Sequence, residues 1–180
     1  KRFGVRKSEV KVALQFGLDE LQKYREDCKR EGERILGEAR AKKMPIIVLA
    51  GRPYHVDPEI NHGIDRLLDR LGVAVLSEDS LRFGLKIRPH VLNQWTYHAR
   101  LYDCANLCTQ NQDMNLVQLV SFGCGVDAVT SDEVRRILEE KGRLYTQIKI
   151  DEISNLGAVK IRLRSLLAAL EEREDHGSRN

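Results

Sequence analysis

The sequence predicts an α/β fold, an open parallel four-stranded sheet preceded by a long N-terminal helix. Three observations predict it. Short apolar runs at Pro45–Ala50, Val73–Leu76 and Leu116–Phe122 are separated by stretches with helical spacing. These runs hold few polar residues, as strands covered on both faces of a parallel sheet do. No proline interrupts Ser8 to Lys42, where apolar residues return every three or four positions.

Each element follows in order. Val10, Leu14, Leu18, Leu21, Tyr24 and Cys28 form one stripe of the first helix. A helix running on to Ala41 would be roughly 50 Å long, more than a compact domain of this size is wide. It is therefore expected to break at Gly32 or Gly37, or to dock on a neighbouring region, with Cys28 packed as an apolar side chain. After the first strand comes the loop Gly51–Pro58, and Asp57-Pro58 has the form of an N-cap with proline at the first helical position. Ile60, Ile64, Leu67, Leu68 and Leu71 line the helix that follows, which Gly72 closes. Val73–Leu76 is the second strand, and Leu81–Pro89 is irregular. Leu92, Trp95, Ala99, Tyr102 and Ala105 resume a helical stripe. Leu101, Cys104 and Cys108 lie on the stripe beside it. A closed metal site needs four ligands, so these two thiols are read as core.

The third strand ends at Gly123-Cys124-Gly125, where glycine on each side permits positive φ and close approach. Thr130 and Glu133 have capping-box spacing for the next helix, with Val134, Ile137 and Leu138 inward and Gly142 beyond its end. Leu144–Ile150 alternates as a half-exposed edge strand does. Ser154 and Asn155 offer caps for a last helix with Val159, Leu163, Leu166, Leu167 and Leu170 inward. Lys160, Arg162 and Arg164 are expected to form its solvated face, the alternative being an anionic partner met near a loop rim, and Glu171–Asn180 is expected to fray. The chain thus divides into a helical segment over 1–44, an α/β domain over 45–175 and a tail over 176–180.

Thirty basic and 27 acidic residues leave a net charge of +3, with cations scattered among acids and few aromatics, which excludes a nucleic-acid-binding surface. No apolar run is long enough to span a membrane and no signal peptide is present, so a soluble, cytoplasmic chain is expected. The four cysteines follow no secreted disulfide pattern and are expected to be reduced. Opening at Lys1 without methionine, the sequence reads as a piece of a longer polypeptide.

With strand order 2-1-3-4, a flavodoxin-like arrangement, the connections reverse direction between the first and third strands. The crevice there would be walled by Gly51–Asp57 on one side and Phe122–Asp127 on the other. Neither phosphate-binding glycine motif is present, so ordinary nucleotide binding is excluded. The candidate site residues are Arg52, Tyr54, His55 and Asp57 as crevice or ligand-binding groups, and Cys124 as a strand-end thiol. No residue can be given a catalytic role.

Gly51–Gly63, Ser121–Asp127 and Ile148–Arg162 resemble the acyl-CoA dehydratase activase-related proteins, large bacterial polypeptides related to the activator of (R)-2-hydroxyglutaryl-CoA dehydratase. The resemblance implies a late segment of such a polypeptide, similar to one subunit of the 2-hydroxyacyl-CoA dehydratases. In that chemistry an activator hydrolyses ATP to push one electron into an iron–sulfur protein, which then dehydrates a 2-hydroxyacyl-CoA through a ketyl radical. Dehydratase subunits hold a [4Fe-4S] cluster with three cysteines, and Cys124 matches the last of the three. The earlier two should precede this segment, and Cys104 and Cys108 do not sit where the pattern needs them. The resemblance therefore implies at most one ligand here, no cofactor held by this chain alone, and the remaining domains of the parent polypeptide as partners. An alternative is a non-catalytic flavodoxin-like interaction or regulatory module that docks on the activator. A third reading is a site for the anionic part of acyl-CoA, built from Arg52 and the helix N-terminus at Asp57–Asn61.

Overall fold

The computed structural model describes residues 4–84, 87–121, 123–151 and 156–177, the last four without their side chains. Four parallel strands form one sheet: β1 (Ile46–Ala50), β2 (Ala74–Ser77), β3 (Met114–Val120) and β4 (Thr146–Lys149). Their order is β2-β1-β3-β4, which matches the order assumed from the sequence. Ile46 pairs with Ala74 on one side and Met114 on the other, so the carboxyl ends of β1 and β3 reach the same rim.

Helices cover both faces. On one face α1 (Lys7–Ala41), α3 (Thr96–Gln110) and α4 (Gly125–Glu139) enclose Ile46, Val48, Leu76, Leu116, Tyr102, Val134 and Leu138. On the other, α2 (Ile64–Arg70) and α5 (Gly157–Gly177) enclose Ile47, Leu49, Val117, Leu119, Ile148, Ile64 and Leu163. Every residue of β1 is buried because alternate side chains serve the two cores.

The first helix is continuous over 35 residues and does not break at either glycine. Gly32 instead marks the docking point, for a Cβ there would lie 2.0 Å from the main-chain oxygen of Ser80. Docking is confined to the second half, where Gly32 and Ala39 are buried and Ile35 and Leu36 join the core. Lys7–Arg25 is exposed throughout, so the stripe of Val10, Leu14, Leu18, Leu21 and Tyr24 faces outward. Cys28 is half-buried at the boundary between the two halves.

Four other expectations shift. The helix after the first loop begins at Ile64, not Pro58. His62 and Gly63 adopt left-handed φ values of 55° and 77°, which no helix accommodates, and Asp57 Oδ1 accepts the Glu59 N–H in a local turn instead. Leu92 and Trp95 lie before α3 and are exposed; the helix buries Leu101, Tyr102, Cys104, Ala105 and Cys108. α4 starts at Gly125, so Thr130 and Glu133 sit inside it, with Thr130 Oγ1 donating to the Val126 carbonyl four residues back. Gly72 and Gly142 do end their helices, at φ 76° and 65°. The caps expected at Ser154 and Asn155 lie outside the described residues. Val159, Leu163 and Leu166 are buried, Lys160, Arg162 and Arg164 are exposed, and α5 continues through Glu171 to Gly177 where fraying was expected.

Candidate functional site

The loop after β1 folds as a short 3-10 turn, Pro53–Val56, and tucks His55 under the rim. Gly51 makes room for it, since a Cβ there would stand 2.4 Å from His55 Nδ1 and 3.0 Å from the Leu119 carbonyl oxygen. This glycine therefore serves an imidazole. Its N–H is also spent: it donates to Glu78 Oε2 at 3.0 Å.

His55 Nδ1 accepts the Arg52 N–H at 3.0 Å, which leaves Nε2–H to donate to Ser121 Oγ at 3.1 Å. Burial pushes the His55 pKa down, in keeping with a neutral ring that accepts at one nitrogen and donates at the other. The Tyr54 hydroxyl and Ser121 Oγ share a 2.8 Å hydrogen bond, so two loop side chains clasp the serine beyond β3.

From the same loop Arg52 crosses to the start of α4. Its Nη2 donates to Asp127 Oδ1 at 2.8 Å and its Nε to the same oxygen at 3.2 Å. Burial works against the charged guanidinium, but hydrogen bonding with Asp127 and Cys124 outweighs it and raises the pKa. Cys124 is the N-cap residue of α4 and half-exposed. Its sulfur makes no capping hydrogen bond of full geometry. Even so the Asp127 and Val126 N–H groups, and then the Arg52 guanidinium, favour the thiolate and draw the pKa below the ordinary thiol range.

The two turns marked in the sequence thus share one rim. Arg52, Tyr54, His55 and Cys124 are brought together, whereas Asp57 is not part of this cluster and serves its own turn. Phe122, expected to wall the crevice, lies outside the described residues. Gly125 has no left-handed φ, and among the described residues nothing stands within 4 Å of a Cβ placed at Gly123 or Gly125. The glycines leave open space beside the sulfur; close approach is not their role.

Sequence reasoning missed Glu78 and His98. Glu78 follows β2, is 4% exposed, and has its carboxyl pKa pushed up to about 7 chiefly by burial. His98, in the first turn of α3, places Nε2 3.4 Å from Asp127 Oδ1, too poorly aligned for a hydrogen bond. Both its ring nitrogens and Asp127 Oδ2 are buried without a hydrogen-bond partner among the described residues. Neither position carries a motif, although His98 lies three residues beyond Trp95 and faces it edge-on at 5.8 Å.

Cys104 and Cys108 are core, as predicted: both are fully buried, and their mutual hydrogen bond and burial raise the Cys104 pKa. No cysteine is in a disulfide. Among the described residues no group of three or more His, Cys, Asp or Glu is arranged to hold a metal ion, and no helix is long and apolar enough to cross a membrane. The N-terminus of α2 at Ile64 removes the helix terminus that an acyl-CoA phosphate was expected to meet at Asp57–Asn61.

No curated protein and no solved structure matches the chain. Residues 1–81 do match a family model, described as the CoA enzyme activase uncharacterised domain. That span holds α1, β1, β2, the 52–57 loop and Glu78, and stops short of Cys124. The match makes this part of the chain similar to that domain.

Proposed function

We propose that the chain is a module of an activator or iron–sulfur component in a 2-hydroxyacyl-CoA dehydratase system, where ATP-driven one-electron transfer supports dehydration, and that the rim presents Cys124 as its single ligand to a [4Fe-4S] cluster. The observation that carries this reading is the accessible Cys124 sulfur at the start of α4, with N–H groups and Arg52 favouring its thiolate. Iron binds the thiolate, not the thiol. The family match over residues 1–81 supports the activase setting.

The described residues do not form a cluster site by themselves. Among the described residues Cys124 is the thiol at the rim; the other ligands would come from the rest of the polypeptide, and the chain alone would be inactive. When bound, such a cluster supplies one-electron chemistry. This chain contributes position and charge. Arg52 stays cationic and sets the local field, Asp127 anchors Arg52, and the His55–Ser121–Tyr54 bonds hold the loop that carries it.

Anaerobic reconstitution of the full-length protein with iron and sulfide tests the reading. Cys124→Ala is expected to lose most of the cluster absorbance and the reducible signal that accompanies it. Unchanged absorbance would strike Cys124 from the ligand set.

A further inference from the structure

We propose that the free edge of β2 is a docking site for an extended polypeptide segment, which adds to the sheet as a fifth strand and brings a Lys or Arg to Asp65. Ala74 N–H donates inward to the Pro45 carbonyl at 2.9 Å, and a parallel strand alternates its main-chain groups from side to side. Val75 and the Ser77 N–H therefore turn away from β1. Edges are normally blunted by Lys, Pro or a bulge, and Ala-Val-Leu-Ser has none of these.

The edge lies at the bottom of a groove. α1 covers one face of the sheet and α2 the other, and the two helices flank β2 around an open volume of about 870 Å³. Cys28 and Ile35 line the α1 wall, Asp65 and Asp69 the α2 wall. Width set by two helices and a floor of unpaired main chain suit strand addition, where backbone bonds give affinity and side-chain pockets give selectivity.

Two features specify the occupant. Asp65 Oδ1 is buried with no hydrogen-bond partner among the described residues, an acceptor that an incoming cation would satisfy. Of the acidic residues lining the groove, Asp27, Glu31 and Glu38 are ion-paired along α1 with Arg30 and Arg34, which leaves Asp65 and Asp69 on the α2 wall as the acids with no ion pair among the described residues. Two copies of the chain joined edge to edge would bring these acids together, so a basic, apolar-patterned segment fits better than a second copy. The α1 stripe adds continuity: Ala39 and Ile35 already pack on the domain, and the same stripe runs through Cys28 to the exposed Tyr24 and Leu21. A strand in the groove would carry the existing interface along this stripe.

A displayed random-octapeptide library, selected on the intact chain, provides the probe. The expected consensus alternates apolar residues and contains a Lys or Arg. A synthetic peptide of that consensus should slow amide exchange at Val75 and Ser77. Val75→Pro, which deletes an outward N–H, and Asp65→Asn should each weaken binding about tenfold or more, the effect of one buried charge-assisted or main-chain bond. Should Val75→Pro fail to fold, Asp65→Lys replaces it and should abolish binding of the basic peptide. The proposal is overturned if no peptide is enriched above the variant proteins, if the enriched peptide leaves Val75 and Ser77 exchange unchanged, or if those amides are protected by concentration-dependent self-association.

Discussion

Glu78 is a carboxyl held almost out of water, with the Gly51 N–H to satisfy one oxygen and the Arg100 guanidinium acting at longer range. Burial outweighs both, so its pKa rises from 4.5 to about 7. An acid whose folded pKa is raised stabilises the fold fully below its unfolded value, and that stability is lost as pH rises from 4.5 through about 7. Glu78→Gln keeps an acceptor for Gly51 and removes the charge. The variant should match the parent near the bottom of that window and exceed it by roughly 3 kcal/mol at most above it, as read by urea denaturation on either side. Equal stability at alkaline pH would mean the carboxyl is not desolvated. Gly51→Ala tests the neighbouring contact: with His55 Nδ1 2.4 Å from the new carbon, it should cost about 1–3 kcal/mol and loosen the Ser121 bond, visible as a shifted His55 imidazole resonance. Neither residue was legible as such. A lone Glu in Ser-Glu-Asp-Ser looks like turn chemistry, and burial of a carboxyl leaves no mark in the local pattern. Arg52, Tyr54, His55 and Cys124 were legible because they are reactive or aromatic types on strand-end turns.

The helix α1 separates local propensity from packing, since three of its residues are glycines in very different surroundings. Gly17 and Gly37 have open space where a Cβ would go, while Gly32 meets the Ser80 main chain. Gly17→Ala and Gly37→Ala should each stabilise the protein by about 0.5–1 kcal/mol, the ordinary helix preference. Gly32→Ala should reverse that sign, destabilise the docked half and expose the Ile35 and Leu36 surface, as thermal unfolding and dye binding would show. A uniform gain at all three positions would mean α1 is not docked at Ser80. The helix itself was legible in its period, but its continuity was not: the glycines looked like breaks because the partner of Gly32 is 48 positions away, at Ser80. A similar limit moved the start of α4. Thr130 and Glu133 carry the spacing of a capping box, yet the chain turns at Cys124, whose side chain is a poor cap, because the connection from β3 to α4 is short.

For the whole molecule, the parallel sheet was legible because alternating strands and helices leave few connections, while the order 2-1-3-4 was an assumption that the assembled sheet matches, and the reversal between β1 and β3 places both marked turns at one rim. What remained illegible was which side chains meet across that rim. The Arg52–Asp127 and His55–Ser121 contacts join positions 75 and 66 residues apart, and only the assembled sheet brings them into reach. The rim therefore acts as a unit, with Arg52 joining the first loop to the thiol of the second. The pH dependence of Cys124 alkylation, followed by mass spectrometry of its peptide in the parent and in Arg52→Ala, tests this most directly. The predicted result is a midpoint below the ordinary thiol value of about 8.5 in the parent, moved upward in Arg52→Ala. A midpoint at or above the ordinary value in the parent, or one indifferent to Arg52, would contradict it.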